Sequence, residues 1–202
     1  MPLLNENPDD RVMVFIDLRN VKESVKNLDE FPIDYYRLTL DLVGRRKLIA
    51  AYIFDAIPHY GDDETIKLHD NLRFQGFRVV TKRIQKETEN INGQEITKIV
   101  QKEVDVALAC EMVVHALMDH YDIAIVVSGD RDFVPAIEHI HQAGKRVIVA
   151  SFTDCFAKDM LKVCDRYIKL DDKPILQFET ILKKPETAKI DSSDVQKTEA
   201  DV

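Results

Sequence analysis

The chain has 202 residues, 45% of them hydrophobic, and a formal net charge of −8. That length and apolar content suit one domain with a single core plus a tail. The acidic balance excludes bulk electrostatic attraction to nucleic acid, which takes a basic domain, so any polyanion must be met by local basic patches or through a metal ion.

Other classes fall away on similar grounds. No apolar run approaches the roughly 20 residues that a membrane span needs, and the opening MPLLNENPDD has neither a basic flank nor a long apolar segment. A soluble, cytoplasmic protein with no membrane partner is the expectation. The three cysteines, Cys110, Cys155 and Cys164, form no CxxC pair, and an odd number suits reduced thiols. Among the six histidines, His139 and His141 stand two apart on an expected helix and so point to different faces, which leaves zinc without a ligand pair.

In chain order, residues 1–10 read as an N-terminal extension. The segments RVMVFIDL (Arg11 to Leu18), KLIAAYIFDA (Lys47 to Ala56), FRVVTKRI (Phe77 to Ile84), IAIVVSG (Ile123 to Gly129) and RVIVAS (Arg146 to Ser151) are β-rich and nearly continuous in apolarity. Such runs suit strands buried on both faces. Helical patterns lie between them, at about Pro32 to Val43, Asp62 to Gln75, Glu103 to Met118, Asp132 to Ala143 and Phe156 to Val163. Strand and helix in alternation imply an α/β domain, residues 11–172, with a mainly parallel sheet covered on both faces. One interval breaks the rhythm. Gln85 to Lys102 is polar and carries Asn92-Gly93, a strong hairpin signal, so a protruding hairpin or an ordered loop is expected there. The composition changes again after Asp172. Residues 173–202 read as a tail, disordered from about Lys183, where apolar residues are few and charges many.

In open α/β sheets ligands bind beyond the carboxyl ends of the strands, and acidic residues gather there. Asp17 ends the first strand, Asp130 and Asp132 follow the fourth, and Asp105 lies in the first turn of the helix KEVDVALACEMVVHA, on the face of Ala109 and Met112. Each has a plain structural reading as a turn former, a helix cap or a complement to the helix dipole. Together they are costly on one rim unless something neutralises them, and a hard divalent cation, Mg²⁺ or Mn²⁺, is the natural partner of oxygen ligands. Gly129 is expected to let the chain turn sharply into the Asp130 loop, with Asp132 either joining the metal or capping the helix that follows. No GxxxxGK[ST], GxGxxG or GxSxG is present, so neither a nucleotide-binding loop nor a nucleophile elbow is supported, and no small-molecule organic cofactor is expected. The DxDxT of haloacid-dehalogenase phosphatases is also missing after the first strand.

Three segments in order, FIDLRN, KEVDVALACEM and VVSGDRDFVPAIEHIHQAGKRVIVA, resemble the NYN domain family of PIN-like, metal-dependent ribonucleases, and CDRYIKL resembles that family's closing segment. The similarity runs from about Arg11 to Leu170. It implies a PIN-like three-layer sandwich with a five- or six-stranded sheet. It also implies a metal-dependent ribonuclease whose metal-site acids fall on Asp17, Asp105, Asp130 and Asp132, with Asn20 and Ser128 as polar site residues. Family members commonly carry a small residue where this chain has Leu18, a Gly where it has Glu103 and an Asp where it has Glu111, which puts substrate choice in question. Arg19, Lys22, Lys82, Arg83, Lys98 and Lys102 are near the rim or on the hairpin, placed to track an RNA backbone. The rival reading is a module on the same fold that binds RNA or a protein without cutting, and a homodimer through a sheet edge or the hairpin is left open.

Overall fold

A computed structural model describes residues 7–25, 33–57, 63–83, 85–91, 94–100 and 102–171. The chain runs through β1 (Arg11–Asp17), α1 (Leu18–Val25), α2 (Tyr35–Val43), β2 (Lys47–Ile57), α3 (Asp63–Phe74), β3 (Arg78–Arg83), β4 (Gln85–Ile91), β5 (Gln94–Val100), α4 (Lys102–Leu117), β6 (Ile123–Val127), α5 (Val134–Gln142), β7 (Arg146–Ser151) and β8 (Arg166–Lys169). The tail expected at residues 173–202, the first six residues of the expected extension and the Asn92-Gly93 turn lie outside the described residues.

Six strands form one sheet in the order β3-β2-β1-β6-β7-β8, and every pairing in it is parallel. The continuous apolar runs explain this, because both faces of the central strands need covering. Side chains alternate along β1: Val12, Val14 and Ile16 pack with α1, α2 and α3 on one face, while Met13 and Phe15 pack with α4 and α5 on the other. Leu38, Leu42 and Leu72 close the first layer, and Leu108, Met112, Ile137 and Ile140 close the second. Burial of each such large side chain contributes about 1.5–3 kcal/mol. The result is the three-layer sandwich expected, with the sheet wholly rather than mainly parallel.

The hairpin forms as expected. β4 and β5 pair antiparallel, with Ile91 opposite Gln94, as a two-stranded sheet of their own.

Three local features differ from the sequence reading. α1 was not expected, because its eight residues bury only Leu18 and Val21. The helix expected over Phe156 to Val163 is instead a five-residue 3-10 helix, Lys158–Lys162, in which Met160 alone is buried. A single anchor cannot orient an α-helix face, and the Met160 N–H bonds three residues back to Ala157. The expected helix at Asp132 begins as a 3-10 turn, Arg131–Phe133, before α5 takes over with Pro135 in its first turn.

Candidate active site

Strand order reverses between β1 and β6: β2 and β3 lie to one side of that pair, β7 and β8 to the other. A crevice opens at such a switch point, at the carboxyl ends of the strands. Asp17 is the last residue of β1, and because Ile16 pairs with Val127, Ser128 falls beside it. Short polar contacts tie the two strand ends together. The Asn20 N–H donates to Asp17 Oδ1 at 3.1 Å, and the Ser128 hydroxyl donates to Asp17 Oδ2 at 3.1 Å. Ser128 Oγ in turn accepts from the Asp130 N–H at 3.2 Å, while Asn20 Oδ1 accepts from the Gly129 N–H at 3.1 Å. Asn20 and Ser128, expected as site residues, thus link the α1 turn to the β6 loop.

Gly129 serves a purpose other than the sharp turn expected of it. The positive-φ glycines are Gly44, Gly76 and Gly144, not Gly129. A Cβ at Gly129 would lie 2.0 Å from the Cys155 carbonyl oxygen, and the Gly129 carbonyl accepts the Ala157 N–H at 3.0 Å. Glycine is needed so that the segment after β7 can press against the β6 loop.

Asp17, Asn20, Asp105 and Asp130 line one cavity of about 270 Å³, together with Arg19, Glu23 and Val104. Asp105 reaches it from the first turn of α4, half-buried above the core residue Met112. Asp132 does not line this cavity. It is exposed and borders a neighbouring open groove of about 780 Å³ with Arg131, Pro135, Glu138 and Lys162. Of the two aspartates weighed for the capping role, Asp130 takes it: its Oδ1 accepts the Asp132 N–H at 3.0 Å. Glu111 pairs with His115 at 3.3 Å and is absent from the cavity wall.

The electrostatics follow from this crowding. Burial pushes the Asp17 carboxyl up to about 6, with Asp105 and Asp130 pushing the same way and the Asn20 N–H and Ser128 hydroxyl opposing. Asp105 is raised by burial and by the charges of Asp130 and Asp132, against Arg19.

The basic residues divide. Arg19 lines the cavity with its Nε on Glu23 Oε1 at 2.6 Å. Lys22 is engaged on the opposite face of the sheet: its Nζ lies 3.3 Å from Asp55 Oδ2, a buried carboxylate that also meets His69 Nε2 at 2.9 Å. Lys82 is half-buried at the end of β3 and Arg83 exposed beside it. The side chains of Lys98 and Lys102 are outside the described residues.

Sequence reasoning missed Glu23 and the Asp55–His69 pair. The signal for Glu23 was present, since Arg19 and Glu23 stand at i,i+4 with Leu18 and Val21 as an apolar stripe; reading a helix there would have brought Glu23 to the same rim.

The donor set suits a hard divalent cation. Every acidic group in the cavity offers oxygen, and Asp17 and Asp105 are raised first by burial and then by neighbouring carboxylates, with Arg19 opposing at Asp105. Among the described residues no three His, Cys, Asp or Glu side chains close into a ready-made metal cage.

Comparison with known proteins agrees with this arrangement. The NYN domain model matches residues 11–171. The Low amplitude and bright protein LabA of Synechococcus elongatus is 26% identical over 164 residues, which span 80% of this chain and 84% of that protein. A crystal structure of a protein of unknown function from Vibrio parahaemolyticus shares the fold, with a TM-score of 0.65 at 20% identity over 84% of this chain and 98% of that one. No helix among the described residues is long and apolar enough to cross a membrane. NYN domains have a PIN-like ribonuclease fold, generally use divalent metals and act on RNA. The family match covers every strand of the six-stranded sheet and every residue of the carboxylate cavity, and the chain belongs to the NYN domain family.

Proposed function

We propose that the chain is a ribonuclease that hydrolyses RNA phosphodiester bonds with the help of Mg²⁺ or Mn²⁺. The observation that carries this reading is the meeting of Asp17, Asp105 and Asp130 in one cavity at the switch point of the sheet. In this reading Asp17, Asp105 and Asp130 hold the ion, and Asp132 stands at the edge of the groove where the RNA leaves the site. A bound divalent ion supplies Lewis acidity toward the scissile phosphate and a lowered pKa for an attacking water.

The chain's own groups do the rest. Asn20 and Ser128 fix the Asp17 carboxylate by two hydrogen bonds, so that its position is set before substrate arrives. Arg19 on the cavity wall takes a non-bridging phosphate oxygen, exchanging its bond to Glu23 for one to substrate. Lys82, half-buried at the end of β3, contacts the backbone farther out. Glu103, exposed in the first turn of α4, alters the mouth of the site, whereas Leu18 is buried in the opposite layer and does not reach it.

The test is cleavage of single-stranded and structured RNA by the purified chain. Turnover is expected with Mn²⁺, lower turnover with Mg²⁺ and none in chelator, and Asp17→Asn should lower the rate at least 100-fold, on the order of the loss when one essential electrostatic group is removed. Cleavage that persists in excess chelator, or that Asp17→Asn leaves unchanged, rejects the reading; binding of RNA without any cleavage points to the non-cutting module.

A further inference from the structure

α1 brings Arg19, Asn20 and Glu23 to the carboxylate cavity, yet its own packing is thin. Leu18, Val21 and the partly buried Val25 stand at i, i+3 and i+7 and form one narrow apolar stripe against the sheet. Apolar burial is non-directional, so such a stripe fixes where the helix lies and resists rotation about its axis only weakly. Asn20 tolerates little rotation. Its N–H donates to Asp17 Oδ1 and its Oδ1 accepts the Gly129 N–H, each at 3.1 Å. At the side-chain radius of about 5–6 Å, a roll of about 10° carries Asn20 about 1 Å, a misplacement that can cost on the order of 100-fold in rate.

A charged contact that the proposed reaction does not use lies across the helix. Lys22 is two residues from Asn20 and so leaves α1 on nearly the opposite side, where its Nζ lies 3.3 Å from Asp55 Oδ2. That carboxylate is a fixed point. It is 5% exposed near the end of β2, its Oδ1 accepts the Ala56 N–H at 2.9 Å, and its Oδ2 meets His69 Nε2 of α3 at 2.9 Å. His69 is 4% exposed, so substrate reaches neither member of the pair. A buried carboxylate needs charged or hydrogen-bonding partners, and Lys22 is the partner that comes from α1.

We infer that Lys22 is a positioning residue: pinned on the Asp55–His69 pair, it sets the roll of α1 and thereby holds Asn20 between Asp17 and Gly129. This role replaces the contact to an RNA backbone expected of Lys22 from the sequence. The placement of Asn20 follows from the contacts alone, whereas its effect on cleavage rests on the ribonuclease reading.

Amide hydrogen exchange, read residue by residue by NMR in chelator and without RNA, tests the placement. Lys22→Met keeps the apolar stem and removes the charge. The Asn20 and Gly129 amides should then exchange roughly tenfold faster, with the core amides of β1 and β6 unchanged. Lys22→Arg, which keeps the charge, should restore most of the protection. In Mn²⁺-dependent cleavage Lys22→Met should lower kcat about tenfold or more and leave KM within about twofold, because the substrate contacts remain. Asp55→Asn should speed exchange at the same two amides, and adding Lys22→Met to it should add nothing, since both remove one contact; should Asp55→Asn fail to fold, the Lys22 variants decide alone. Unchanged exchange at Asn20 and Gly129 overturns the inference. So does faster exchange throughout the sheet, a failure of Lys22→Arg to rescue, or a raised KM at unchanged kcat, which marks a lysine that binds RNA. A wild type that cuts no RNA rejects the ribonuclease reading, and the two amides still decide this inference.

Discussion

Asp17 is unfavourable in two ways: it is 6% exposed at the end of a buried strand, and it shares its cavity with Asp105 and Asp130. The sign of its effect on stability follows from its two pKa values. The unfolded carboxyl titrates near 3.8 and the folded one at about 6, so between those values the native state keeps a proton that the unfolded chain has released. Stability is therefore lost as pH rises through that window, and the loss, about 3 kcal/mol at most, is fully present above it. Asp17→Asn removes the loss while a rotated Ser128 hydroxyl keeps its bond. Denaturant unfolding in chelator should show the variant gaining on wild type between pH 4.5 and pH 7.5, by up to about 3 kcal/mol. A gap independent of pH contradicts the assignment of the shift to Asp17. The candidate residues were largely legible at this scale, because an Asp at the end of an apolar run has few other places to go. The division of labour between Asp130 and Asp132 was not legible, since which of two aspartates caps a turn depends on a backbone angle that spacing does not specify.

At the scale of elements, periodicity served where an element has a strong face and failed where it does not. β1, β2, β6 and β7 are continuous apolar runs, and each appears within one or two residues of where it was expected. α1 and the 3-10 segment at Lys158–Lys162 bury two residues and one, too little to set a period. β8 is only four residues long and half-buried at a sheet edge, so its sequence resembles a loop. The hairpin, by contrast, was marked by its turn residues, and its two strands pair only with each other. That independence makes it dispensable for the core. Replacing residues 87–95 by a short Gly-Ser link should leave the melting temperature within a few degrees and weaken RNA binding, as read by melting and by fluorescence anisotropy. Loss of soluble protein would show instead that the segment supports the fold.

At the scale of the molecule, the sheet order determines where the chemistry collects. Only a reversal between β1 and β6 brings Asp17 beside Ser128, and only the packing of α4 over β1 and β2 brings Asp105 to the same rim. The sequence conveyed the alternation of strands and helices and therefore the layers, but not which strands are neighbours. Convergence of the acids was thus an inference from the general behaviour of parallel sheets and from family resemblance, while Glu23 needed the fold to be found. Calorimetric titration of Mn²⁺ into wild type and into Asp17→Asn, Asp105→Asn, Asp130→Asn and Asp132→Asn tests the central claim most directly. Saturable binding by wild type is predicted, lost or weakened at least tenfold in the first three variants and largely kept in Asp132→Asn. Equal binding by all five proteins, or none by wild type, would contradict a metal centre built on the three carboxylates of the cavity.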